Sequence, residues 1–210
     1  MDFYRKHWQD VGGLVALVIS GGLAVFGQRL SRPQRWSALN VVALLVHQFE
    51  EYRFPGFFPG HYNRGLCNSA TPDRYPLNTN AALLINTAFG YPFYLLPVLL
   101  PKHAWLGLAP VVFGFGQVIA HGLVFPRMAN VRYSPGIVAA LCLHLPIGIA
   151  YIRSLQREQP IQRAAWIKAS IYVVIAFVAG VRGPMHVCKD TASPYRFTQQ
   201  QVGPYGGDHT

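Results

Sequence analysis

The chain has 210 residues, of which 51% are hydrophobic and only 12% charged, with a formal net charge of +10. Soluble domains carry about 25% charged residues, so this composition excludes an ordinary water-soluble domain, and the positive mean hydropathy agrees. The lysines and arginines are scattered through loops and tails, as expected of residues flanking membrane spans. No nucleic-acid partner is expected; membrane lipids are.

In chain order, the first apolar block covers 11–28 and follows Arg5 and Lys6. It resembles a signal peptide in outline, but it is long and glycine-rich and lacks a convincing small-residue cleavage site. It reads as a retained helix. Further blocks cover 37–52, 79–100, 104–125, 136–152 and 164–181. Each approaches the ~20 residues that cross a bilayer core, although the second is short. Arg32-Pro33, Pro55-Gly56, Pro101-Lys102, Pro126-Arg127, Ser134-Pro135 and Gln159-Pro160 punctuate the breaks. The expected fold is all-α, a polytopic transmembrane helical bundle of about six spans, or five if the second segment is re-entrant. Both sets of loops carry comparable numbers of Lys and Arg, so their balance fixes no orientation.

One domain should cover 1–182, with loop 53–78 a candidate lid. That loop contains "FPGFFPGHYNRG", whose aromatic residues suit an interfacial belt, and His61, Tyr62 and Arg64 are candidates for touching substrate. The polar tail 183–210 is expected to be flexible over its last fifteen or so residues. His186 there is a remote ligand candidate. The cysteines, Cys67, Cys142 and Cys188, lack CxxC spacing and form no zinc knuckle. A Cys67–Cys188 bridge would require the long loop and the tail to share a face.

The chemistry concentrates at the end of the second block, in "LVHQFEEYRF". Residues three and four apart share a helix face, so His47, Glu50 and Glu51 present an imidazole and two carboxylates to nearly one point. Asn40 continues the polar stripe inward. Charged groups in a membrane cost at least a few kcal/mol unless paired or hydrated. The fourth block places Gln117 and His121 four apart, the fifth holds His144 just before Pro146, and the third holds Asn86 and Tyr94. Antiparallel spans bring His47, His121, Asn86 and His144 to one level, each roughly 8–12 Å from the same boundary. Four helices therefore aim polar groups at one site.

His47-Gln-Phe-Glu50-Glu51 resembles the signature of the HXXEE-motif family of small integral membrane proteins. "AHGLVFPRMANVRYSPG", from Ala120 to Gly136, is similar to that family's pattern of a helix histidine followed by a Tyr-x-Pro-Gly turn. The resemblance extends from about residue 37 to 181 and implies a membrane-embedded helical protein, without an established reaction.

Histidine with two carboxylates on one helix suits Zn, Mn or Fe. By local analogy with H-x-x-E-H sites, His47 and Glu51 would bind a divalent metal, with His121 or His144 completing the site. Glu50 would then be the catalytic base for a metal-bound water, and Asn40, Asn86, Tyr94 and Gln117 would contact substrate. The activity expected is hydrolytic or other Lewis-acid chemistry on a small hydrophobic or amphipathic molecule. Three alternatives stand beside it: a two-metal oxidase of the di-iron kind, a proton-coupled carrier of a small solute, and a non-catalytic subunit of a membrane complex.

Overall fold

The computed structural model describes residues 2–157 and 160–206, and six long helices carry the chain from Asp2 to Cys188. They are α1 (Asp2–Arg29), α2 (Arg32–Tyr52), α3 (Thr79–Leu99), α4 (Ala104–Met128), α5 (Ile137–Gln156) and α6 (Arg163–Cys188). A short α7 (Gln199–Val202) follows in the tail. No strand occurs among the described residues.

All the long helices except α2 are long and apolar enough to cross a membrane. Their outward faces carry large apolar side chains, among them Leu17 and Val18 on α1, Leu99 on α3, Ile119 on α4 and Val174 on α6. A continuous apolar exterior of this kind calls for an apolar surrounding medium. The remaining helix, α2, is the hub. It packs against α1, α3 and α5, and thirteen of its 21 residues are buried. Its polar residues survive because they face protein. A helix of that length spans roughly 31 Å, and it runs unbroken rather than turning back as a re-entrant segment would.

Local chemistry sets the helix ends. Ser31 and Gln34 form a reciprocal capping box at the start of α2, with Pro33 in the first turn. Asn78 accepts from the amides of Asn80 and Ala81 to start α3. Helix α5 has no cap from its own leading residue, Gly136; its first amides are satisfied from α2, as described below.

Helices α3 to α6 each widen into a π turn: Leu84–Phe89, Ala120–Val124, Ala140–His144 and Val178–Arg182. Each is followed closely by a proline, although Pro97 and Pro110 sit in regular α-helix. A helical proline has no N–H and its ring strikes the carbonyl four residues earlier. Pro92, Pro126, Pro146 and Pro184 each place that carbonyl inside a π turn, where the wider helix makes room. Just before Pro146, His144 itself lies in such a turn.

The tail departs from expectation. Its described part folds across loop 53–78 instead of trailing free, because Phe197 and Val202 bury their side chains among Trp8, Tyr52 and Phe58. Phe197 donates its amide to the Asp73 carbonyl at 2.7 Å, and Val202 packs so closely on Gly60 that a β-carbon there would collide with its carbonyl. Residues 207–210 lie outside the described residues. Loop and tail do share a face, yet Cys67 and Cys188 are free thiols. The shared face alone does not bring them into a bridge.

Candidate metal centre

His47 and Glu51 lie one turn apart on the most enclosed stretch of α2, and the π turn of α4 delivers His121 against them. All are at least 94% buried. Glu51 Oε1 sits 3.6 Å from His47 Nε2 and 3.4 Å from His121 Nε2. One ligand atom from each residue falls within 4.8 Å of the others. Around a tetrahedral ion with bonds of ~2.1 Å, neighbouring ligand atoms stand ~3.4 Å apart. Both distances from Glu51 match that spacing, so the triad has a donor set that could hold an ion.

The surrounding bonds orient the rings. His121 Nδ1 lies 3.2 Å from Ser134 Oγ, which leaves Nε2 directed at Glu51. A hydrogen bond on the far ring nitrogen is the usual support of a metal-binding histidine. Both ring nitrogens of His47 lack hydrogen-bond partners although the ring is buried. Such orphans are expensive in a sealed interior, and an ion would satisfy one of them.

Gly136 closes the site from the turn before α5. Its φ is +107°, a left-handed conformation suited to glycine. A β-carbon there would stand 2.7 Å from His47 Cε1 and 2.8 Å from His121 Cε1. Ser134 and Gly136 belong to the Tyr-x-Pro-Gly turn, and no role for either is legible from residue type alone.

His144 packs behind His47 with ring centroids 5.5 Å apart, but it is not one of the triad. Its Nδ1 donates to Asn40 Oδ1 at 3.0 Å, so Nε2 carries the lone pair, and that atom is buried without a partner. Gly114 gives the ring its space. The Tyr94 ring lies 5.9 Å from His144, and its hydroxyl is likewise unpartnered.

Glu50 departs most from expectation. It turns away from the triad toward the start of α5. Oε1 accepts from the Tyr133 hydroxyl at 2.9 Å and the Val138 amide at 3.1 Å, while Oε2 accepts from the Ala139 amide at 2.7 Å. Both oxygens are engaged, which is the chemistry of a helix N-cap supplied by a different helix. A general base needs a free lone pair within reach of its proton; here two backbone amides and the Tyr133 hydroxyl occupy three of the carboxylate's four acceptor sites and aim it at the start of α5. With Glu50 so occupied, Glu51 is the one carboxylate in the cluster, short of the four used by helical two-metal sites.

Asn86 and Gln117 also lie outside the cluster. Asn86 ties α3 to α2, accepting from Gln48 Nε2 through its side-chain oxygen at 3.2 Å and donating to the Ala82 carbonyl at 2.8 Å. Gln117 is half-buried and makes no side-chain hydrogen bond among the described residues. The i, i+4 rule failed there because the π turn begins at Ala120, between Gln117 and His121, and changes the helical phase.

Loop 53–78 roofs the site. Phe58 lies 5.2 Å from the His121 ring and Phe125 of α4 5.0 Å from it. His61 is fully buried in the loop, with Nδ1 2.9 Å from the Tyr205 hydroxyl, and burial lowers its pKa to about 4. Tyr62 is half-buried, and burial first, then Cys67, push its phenol up to about 12. Arg64 donates to the Ser69 carbonyl. His186 is exposed and takes no part in the cluster.

The sequence pattern of the proteins of unknown function with the HXXEE motif matches residues 38–151. The chain belongs to that HXXEE-motif family. Its matched region runs from α2 through most of α5, and so contains the triad, the Ser134–Gly136 turn and the Glu50 anchor. Comparison with curated proteins and with solved structures finds no match.

Proposed function

We propose that this HXXEE-family protein is a membrane-embedded metal-dependent enzyme that holds one divalent cation on His47, Glu51 and His121. The observation that carries the reading is the buried His-Glu-His group, whose ligand-to-ligand distances of 3.4 and 3.6 Å suit a single ion. Two histidines and a carboxylate are the ligands of hydrolytic zinc centres and also of mononuclear non-haem iron sites. When bound, such a cation supplies Lewis acidity toward an oxygen of the substrate or of water.

The chain's own residues divide the remaining work. His144 Nε2, its tautomer set by Asn40, is the base that receives a proton beside His47. Glu50 is a positioning residue: it fixes the start of α5 and, through it, the Ser134–Gly136 turn that touches both ligand histidines. Tyr94 lines the substrate side next to His144. The substrate is a small hydrophobic or amphipathic molecule entering from the bilayer, and the aromatic roof of loop 53–78 acts as its lid.

Elemental analysis of the purified protein tests the reading. Near-stoichiometric divalent metal is expected, falling at least tenfold in Glu51→Gln and in His121→Ala, with His144→Ala retaining it. Metal unaffected by Glu51→Gln and His121→Ala would overturn the assignment.

A proton relay is the second reading, and a specific feature favours it. The rings of His121, His47 and His144 follow one another with centroids 5.0 and 5.5 Å apart, and Asn40 extends the file along α2. Metal-independent stability together with His144-dependent proton uptake in proteoliposomes would select the relay.

A further inference from the structure

The end of the bundle away from the triad carries a second feature that the proposed chemistry does not use. The start of α2 and the end of α5 enclose a groove of about 410 Å³. Arg32, Arg153 and Arg157 rim it, and Trp36, Pro146 and Ile149 complete its lining, Pro146 and Ile149 on the exposed surface of α5. Arg153 and Arg157 are one turn apart and share a face. All the rim arginines are exposed, and the ion pairs found among the described residues do not include them.

Two gradients run along this groove. The charge is one-sided: the stretches 27–36, 98–106 and 153–165, which connect the helices at this end, contain seven Lys and Arg and a single acid, Glu158. Polarity is graded as well. From Arg157 to Pro146 α5 runs roughly 16 Å toward the middle of the bundle, and the lining passes from guanidinium groups to Trp36, Ile149 and Pro146. That order matches a molecule with an anionic head at the membrane boundary and a hydrocarbon chain beneath it. Guanidinium groups suit a phosphate because they donate paired, planar hydrogen bonds to its oxygens. Basic pockets between helices near the membrane surface bind acidic lipid head groups by this chemistry.

We propose that the groove lined by Arg32, Trp36, Arg153 and Arg157 is a binding site for an anionic phospholipid, with its phosphate on the arginines and an acyl chain over Trp36 and Ile149. The proposal rests on the bilayer placement given above but not on the metal, so it stands or falls independently of the triad.

The test uses the full-length protein in mild detergent, with lipid retention followed by native mass spectrometry and thermal shift. Phosphatidylglycerol should bind at least tenfold more tightly than phosphatidylcholine. Arg153→Gln/Arg157→Gln should abolish that preference, whereas Arg153→Lys/Arg157→Lys should keep most of it. Arg29→Gln, on the same end but outside the groove, should behave as the wild type. Should the double glutamine variant fail to fold, Arg32→Gln alone should cost about threefold in phosphatidylglycerol affinity. Equal binding of both lipids, or phosphatidylglycerol affinity unchanged in the arginine-to-glutamine variants, would overturn the proposal. Glycerol phosphate binding as tightly as the intact lipid would overturn it too, by making this a site for a soluble phosphate.

Discussion

Replacing Glu50 with glutamine separates an anchor from a catalyst. In the native protein the carboxylate accepts three hydrogen bonds, from the Tyr133 hydroxyl and the amides of Val138 and Ala139. Glutamine keeps one acceptor oxygen and places an NH2 group where the other stood, so at least one donor at the start of α5 loses its partner. An unsatisfied buried donor costs about 1–3 kcal/mol, and losing a negative charge at a helix N-terminus costs roughly 0.3–2 kcal/mol more. The expected destabilisation is therefore about 2–4 kcal/mol, or a fall in Tm of roughly 5–15 °C for a chain of this size. Thermal unfolding followed by tryptophan fluorescence reads the first quantity, and elemental analysis at low temperature reads metal content. Glu50→Gln should unfold earlier while still holding metal when folded. A variant as stable as the wild type that has lost its metal would make Glu50 a ligand and refute the anchoring argument.

Gly136→Ala should destabilise by about 2–4 kcal/mol and lower metal occupancy, because the new methyl would press on both His47 and His121; a fully loaded, wild-type-stable variant would contradict the close approach. His61 contributes a pH dependence. Burial moves its pKa from 6.5 down to about 4, so the folded state binds fewer protons than the unfolded state between those values. Stability should be full above pH ~6.5, fall as pH drops from ~6.5 towards ~4, and level off below; unfolding with chelator present should show this slope, and His61→Gln should flatten it. Phe197→Ala should cost about 3 kcal/mol through loss of a buried aromatic ring, without changing metal content in the folded protein. A Phe197→Ala variant with unaltered Tm would mean that the tail does not hold the loop.

Much of the molecule is legible in the residues themselves. Long apolar blocks separated by Pro and Gly give the helices, because span length and the need to satisfy backbone groups internally leave few other solutions. His47, Glu51 and His121 are equally readable, since buried charge at one depth on neighbouring helices requires partners. The role of Glu50 is harder to see. It depends on where the first amides of α5 arrive, which no local pattern encodes, and a carboxylate beside a histidine looks the same whether it holds a proton or a helix. Asn86 and Gln48 pair across α2 and α3 for a similar reason: each finds its partner only when the helices pack. The tail misled by composition, because Phe197 and Val202 are only two apolar anchors in a polar segment, yet both are buried.

The proline-linked π turns have a consequence for how this protein tolerates change in length. Each inserts one extra residue into a helical turn, so the segments before and after it run about 100° out of register. Deleting a single residue from Ala120–Val124 would take away the wider turn that accommodates the Pro126 ring, and it would swing either His121 or the Pro126 end of α4 to another side of the bundle. Inserting one residue elsewhere in the same helix would do equal harm. Related chains can therefore exchange side chains freely along the outward faces of α4 and α5, but their alignments should show no gap between the π turns that carry His121 and His144 and the prolines that follow them.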